Sequence, residues 1–186
     1  MESLVPEIEK RRALRALDDT RPVPLEVIRR ILTAATYAPS CGNMQPWRFV
    51  VASEEPALGR VKEGLSGGNY WAKKAPLIIL VITQVDLDTR RDDGRDYAFF
   101  DTGMANMALM LQATREGLIA HPIAGFDPVA IKKSLGIPAE YTLLTLVNIG
   151  YPGPEDHLSE KHREQEHGPR TRKDPAEVIS WNRWFA

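Results

Sequence analysis

Seven consecutive residues, Leu77-Ile78-Ile79-Leu80-Val81-Ile82-Thr83, carry no charge and are rich in β-branched side chains. Side chains alternate between the two faces of a strand, so a run that is apolar at nearly every position predicts a central strand buried on both faces. The chain around it must therefore supply apolar cover on each side. Two long segments have the right pattern. From Pro24 to Tyr37, Leu25, Ile28, Leu32 and Ala35 recur at helical spacing with Val27 and Ile31 beside them, and Pro24 suits a first turn. From Phe99 to Leu118, a stripe of Phe100, Met104, Met107, Leu111 and Leu118 is joined by Phe99, Ala105, Ala108, Leu109 and Ala113. A helix apolar nearly all round is buried, and Gly117 supplies its stop.

Shorter elements complete the reading. Residues 3–17 predict a helix with Leu4, Ile8, Leu14 and Leu17 on one face. Residues 56–65 predict a weak helix, and Asp127-Pro128 opens another that runs to Leu135 before Gly136. Trp47–Ala52, Ile119–Ala124 and Thr142–Ile149 read as strands, whereas residues 38–43 and 66–69 have turn chemistry. The mixed charges of residues 86–96 predict a solvated segment. The order is not a clean βαβ alternation, so the expected class is α+β with a mixed central sheet flanked by helices. The length suits a single domain, 1–186. Residues 157–186 are polar and then aromatic (Trp181, Trp184, Phe185), which predicts an arm that docks on a partner subunit.

Composition excludes several function classes. With 24 basic and 25 acidic residues, the net charge of -1 argues against a dedicated nucleic-acid binder. The single Cys forbids an intrachain disulfide or a cysteine-cluster metal site. The apolar run at 77–82 is too short to span a bilayer, and Met1–Lys10 lacks the apolar stretch of a secretory signal. A cytoplasmic protein without a membrane partner is the expectation. No Gly-x-Gly-x-x-Gly or phosphate-binding Walker loop is present.

Conventional catalytic groups are sparse. Cys41 as a nucleophile would need a base, with His121 the candidate. His157, His162 and His167 are five apart, a step of about 500° on a helix, so they do not line one face and no metal site is expected. Two basic clusters are more informative: Arg11, Arg12 and Arg15 near the start, and Arg170, Arg172 and Lys173 near the end. Paired guanidinium groups suit a phosphate. Between them lies Pro39-Ser40-Cys41-Gly42-Asn43-Met44-Gln45-Pro46-Trp47, a Pro-bounded loop with neutral groups that can hydrogen-bond a planar heterocycle or a sugar-like chain.

The combination resembles the nitroreductase family of dimeric flavoproteins across essentially the whole chain. Arg11-Arg12-Ala13-Leu14-Arg15 matches the family's opening Arg-Arg-Ser-x-Arg, and Ala38 to Trp47 matches Ala-Pro-Ser-x-x-Asn-x-Gln-Pro-Trp without a gap. Asp101-Thr102-Gly103, Gly117-Leu118, Pro122-Ile123-Ala124-Gly125-Phe126-Asp127, Ile149 to Pro152 and Arg170-Thr171-Arg172 follow in the family's order.

The resemblance implies a three-layer fold whose C-terminal arm is exchanged in a homodimer. It also implies flavin mononucleotide (FMN) as cofactor and NADH or NADPH as donor, with nitroaromatics or quinones as acceptors. Arg11, Arg15, Arg170 and Arg172 would hold the FMN phosphate, with Arg12 and Ala13 in the same segment. Pro39, Ser40, Cys41 and Asn43 would come from the other subunit. Pro122, Ile123, Ala124 and Gly125 would lie by the isoalloxazine. No side chain need act as acid, base or nucleophile. The chain departs from the family at Ala13, where a hydroxyl is lost, and at Ala124, where several members carry Glu. Alternatives are a flavin-dependent dehalogenase, a flavin-fragmenting enzyme, or a non-catalytic FMN-binding protein.

Overall fold

The computed structural model describes residues 4–185. Its centre is a four-stranded sheet of β1 (Arg48–Ala52), β2 (Leu77–Thr83), β3 (Ile119–Ile123) and β4 (Thr142–Gly150), in the order β1-β2-β4-β3. Every residue of β2 is buried, as a run apolar at successive positions requires. Ile78, Leu80 and Ile82 face one layer, where they meet Leu58 and Val61 of α3 (Ala57–Glu63), Ile131 of α5 (Pro128–Leu135) and Trp71. Leu77, Ile79 and Val81 face the other, built from Val27, Ile28, Ile31 and Ala35 of α2 (Leu25–Thr36) and from Leu109, Met110 and Ala113 of α4 (Tyr97–Arg115). The result is three layers, helices on both sides of one sheet.

The sheet is antiparallel throughout, where a mixed one was expected. The helical crossover through α4 does carry the chain from β2 to a strand of the same direction, β3. β4 then inserts between those two, antiparallel to both, so strands of like direction never become neighbours.

Three local expectations are corrected. The N-terminal helix, α1, covers only Pro6–Lys10, and residues 11–16 have no regular structure. Their backbone groups find distant partners in place of helical ones, as described below. The expected helix start at residue 3 and the arm's last residue, Ala186, lie outside the described residues. In α4 the buried face is Ala98, Asp101, Thr102, Ala105, Leu109, Met110 and Ala113. Small side chains let the helix approach the sheet and α2 closely; of the expected stripe, Leu118 is buried, Met104, Met107 and Leu111 are half-buried, and Phe100 is 62% exposed. Finally, residues 67–74 form 3-10 turns that bring Trp71 into the core.

Beyond β4 lie α6 (Glu160–His167) and the short α7 (Pro175–Val178). Residues 169–185 are exposed, including Trp181 at 82% and Trp184 at 83%. Among the described residues, no helix is long and apolar enough to cross a membrane.

Leu80 lies at the middle of β2 with no exposure. Leu80→Ala is expected to cost about 2–5 kcal/mol. Leu25→Ala, at an exposed position of α2, should stay within about 0.5 kcal/mol of the parent. Denaturant midpoints at fixed protein concentration check both, and equal losses would contradict the assigned layers.

Candidate functional site

Glu166 of α6 faces inward and is buried. Its carboxylate accepts the Arg15 N–H at 3.0 Å and the Ala16 N–H at 3.3 Å. Leu17 then pairs with Pro152 as an isolated bridge. These partners hold residues 11–17 as an extended strap and lay it beside the C-terminal segment. Arg12 donates to the carbonyls of Gly168 at 2.6 Å and Gln165 at 3.4 Å. From the other side, Arg170 donates to the carbonyls of Ile8, Glu9 and Arg11, at 3.1, 2.7 and 2.6 Å. Those carbonyls close the last turn of α1, where a cation is favoured.

The strap and the C-terminal segment enclose a cleft of about 540 Å³ lined by Arg11, Arg12, Ala13, Leu14, Gln165, Pro169, Arg170, Thr171 and Arg172. No acidic side chain lines it. Burial, then repulsion from Arg170 and Arg172, holds the Arg11 guanidinium below its usual range. The only side-chain bond of Arg172 among the described residues is to the neighbouring Thr171 carbonyl, and Arg11 has none. Two guanidinium groups are thus uncommitted in a cleft of one charge sign, an arrangement suited to an anion.

Arg15, expected among the phosphate ligands, takes another place. Its guanidinium lies 3.7 Å from Glu166 and 5.9 Å from the centre of the Trp71 ring, and it does not line the cleft. The expected residues at 122–125 stand at the end of β3. Gly125 O accepts the Asn69 side-chain N–H at 2.8 Å and the Ser66 N–H at 3.1 Å. A Cβ on Gly125 would come within 2.6 Å of Asn69 Nδ2, so a larger residue here would displace the Asn69 amide from its bond. Ala124 is exposed, Pro122 is half-buried and Ile123 is buried.

The loop at 39–43 lies elsewhere, at the N-terminal end of α4, where Cys41 N–H donates to Asp101 Oδ2 at 2.7 Å. Ser40 Oγ accepts the Gln45 N–H, and Gly42, Asn43 and Gln45 all have positive φ. The loop does not line the arginine cleft of its own chain.

His121 is not a base for Cys41. It is buried, its Nδ1–H donates to Leu14 O at 3.0 Å, and its ring packs on Trp71 with centroids 4.5 Å apart. His121 therefore pins the strap to β3. The other histidines part company: His162 Nδ1 meets the Tyr70 hydroxyl and His167 meets Glu155. Sequence reasoning missed Glu166, Asn69 and Asp101 as organisers. Asp101 alone gave a signal, an acid inside an otherwise apolar helix.

The nitroreductase family model matches this chain over residues 8–65 and 54–151. An NADH dehydrogenase of Thermus thermophilus is 30% identical over 184 residues, covering 82% of this chain and 88% of that protein. An oxygen-insensitive NAD(P)H nitroreductase of Enterobacter cloacae is 26% identical, over 79% and 88% of the two chains. A crystal structure described as an oxidoreductase containing FMN superposes with a TM-score of 0.87 at 33% identity, covering 99% of this chain and 94% of its own.

Burial lowers the His121 pKa to about 4, against the opposing effect of the Leu14 hydrogen bond. The unfolded chain protonates this ring near 6.5, so its contribution to stability is complete above that pH and is lost as pH falls toward 4. The full loss amounts to about 3 kcal/mol. His121→Gln keeps a donor for Leu14 O and removes the titration. Unfolding curves between those pH values should therefore converge for the two proteins on acidification, and parallel curves would contradict the assignment.

Proposed function

Because the chain belongs to the nitroreductase family, we propose that it is an FMN-dependent oxidoreductase taking reducing equivalents from NADH or NADPH to small electrophiles such as nitroaromatics or quinones. The observation that carries this reading is the cleft in which Arg11 and Arg172 converge with no carboxylate to neutralise them. A terminal phosphate fits that donor set and relieves the repulsion. A second phosphate with an adenosine half would need a glycine-rich loop, which the sequence lacks. The names of the Thermus and Enterobacter relatives, and of the FMN-containing crystal structure, support the same cofactor and donors.

The division of labour follows from the hydrogen bonds. Arg11 and Arg172 bind the phosphate. Arg12 and Arg170, committed to backbone carbonyls, hold the two walls of the cleft together. Arg15 and Glu166 fix the strap, so Arg15 acts one step back from the phosphate. The 122–125 turn, anchored by Asn69, lies along the ring. The bound flavin supplies the hydride exchange, and the protein supplies position and charge.

The working unit in this reading is a homodimer of 1–186 domains in the cytoplasm, with 157–186 as the embracing arm. Phe100, Trp181 and Trp184 are exposed apolar side chains that a partner subunit would cover. The 39–43 loop, which cannot reach the cleft of its own chain, then serves the flavin of its partner.

Extraction and mass measurement of the chromophore should identify FMN, and the loaded protein should oxidise NADH or NADPH with a nitroaromatic or quinone present. FAD, or a folded protein that takes up no flavin, would refute the proposal. Arg11→Ala and Arg172→Ala should each weaken FMN binding by about ten- to a hundredfold, equivalent to roughly 1.5–3 kcal/mol, with unchanged circular dichroism. Deleting the residues after Ile179 should weaken both the dimer and flavin retention. A wild-type monomer holding stoichiometric FMN in light scattering would exclude the shared site.

A further inference from the structure

Asp101 stands in the second turn of α4 and is 1% exposed. Its Oδ2 accepts the Cys41 N–H at 2.7 Å. Every other hydrogen bond of residues 39–43 among the described residues stays within the loop and its immediate neighbours. One carboxyl thus ties the loop to the helix.

A second carboxyl faces it. Asp88, 7% exposed, accepts the Thr89 N–H through Oδ1 at 2.6 Å, while its Oδ2 is buried without a partner. Tyr97, the first residue of α4, donates its N–H to the Thr89 carbonyl at 3.2 Å, which brings the neighbouring Asp88 carboxyl against Asp101 one turn further along the helix. Among the described residues no cation is paired with either of them. Arg90 is directed to Asp86 at 3.4 Å and Asp96 at 3.8 Å, and Arg95 is paired with Asp93 at 2.8 Å. The remaining ionisable neighbours are Asp96, which stands at the N-cap of α4 and adds negative charge, and the Cys41 thiol. Two facing carboxylates in that setting repel, whereas one proton between them supplies the missing donor for Asp88 Oδ2.

We infer that Asp88 and Asp101 share one proton, with Asp88 Oδ2–H donating to the Asp101 carboxylate, and that this pair positions the 39–43 loop through the Cys41 N–H. Its consequence for the cofactor rests on the reading of that loop as a flavin wall; the pair itself does not. Burial raises the Asp88 pKa, and the facing Asp101 and Asp96 carboxyls raise it further, against the lowering by Thr89 N–H. As pH climbs through the raised value the proton leaves, the two buried carboxylates repel, and the loop loses its anchor.

Infrared spectra and FMN titrations of the full-length protein test this. The wild type should keep a carboxylic-acid C=O band above the ordinary carboxyl range, about pH 4. Asp88→Asn should lack it. A wild type without such a band overturns the shared proton, whether or not FMN binds.

For FMN, wild-type affinity should fall as the band disappears. Asp88→Asn, whose amide donates at any pH, should not show that fall. Flavin ionisations affect both proteins alike, so the difference isolates the pair. Asp101→Ala should bind FMN about tenfold more weakly or worse. Asp101→Asn, which keeps an acceptor for the Cys41 N–H, should recover most of the loss. Equal affinities for Asp101→Ala and wild type would overturn the positioning role. A wild type that binds no FMN would overturn the cofactor reading, and the pair would then stand or fall on the infrared band.

Discussion

The buried carboxylate of Glu166 decides what the two ends of this chain become. By accepting the N–H groups of Arg15 and Ala16, it bridges positions about 150 residues apart and removes residues 11–17 from the helix their side-chain pattern would otherwise support. A buried acceptor satisfied by backbone N–H groups and faced by a guanidinium outweighs a short helical turn, because leaving such a carboxylate unpaired is costly. Once the strap is extended, Arg12 and Arg170 reach carbonyls on the opposite wall, and His121 reaches Leu14. The arginine cleft therefore results from backbone hydrogen bonds made by its own walls. Its charge density is tolerated because those bonds prevent the guanidinium groups from separating.

The sheet supplies the rigid reference for this arrangement. β3 is an edge strand, and its His121 side chain pins the strap through Leu14. The turn after β3 is held by Asn69, from the same 3-10 segment that buries Trp71 against His121. Core packing and the candidate site thus share residues. Trp71 covers the sheet, stacks on the histidine and lies beneath Arg15. Disturbing the layer on that face would shift the strap, whose Leu14 packs against that layer and lines the cleft.

The sequence made the periodic parts of this structure legible. The uniform apolar run of β2, the helical spacing in α2, and the Asp127 cap and Gly136 stop of α5 all act through neighbours in the chain, so each can be read locally. The capping oxygen of Asp127 accepts the Val129 and Ala130 N–H groups as such a motif requires. What escaped were outcomes decided by distant partners. The length of α1 depends on Glu166. The buried face of α4 depends on which side chains are small enough for close approach, and a hydrophobic stripe alone does not locate it. The site was legible as composition and motif, two arginine clusters and a Pro-bounded loop. The commitment of each arginine was not, since Arg12 and Arg170 differ from Arg11 and Arg172 only in what lies opposite them. Glu166 sat in a His- and Glu-rich run whose bland reading is a solvated surface.

Charge is distributed unevenly for a chain with a net charge of -1. Guanidinium groups gather where the terminal segments meet, and carboxyls gather at the 39–43 loop, where Asp88, Asp96 and Asp101 surround the end of α4. Each cluster is held by a different logic. The arginines stay together because backbone carbonyls absorb two of them, leaving the other two available to an anion. Among the described residues no free cation stands beside the Asp88–Asp101 pair, so the inferred shared proton is what reconciles those two carboxyls. The basic end is therefore expected to respond to ligand binding and the acidic end to pH. In a dimer with shared sites the two ends meet around one flavin, which would couple the phosphate-binding wall of one chain to the proton-dependent wall of the other.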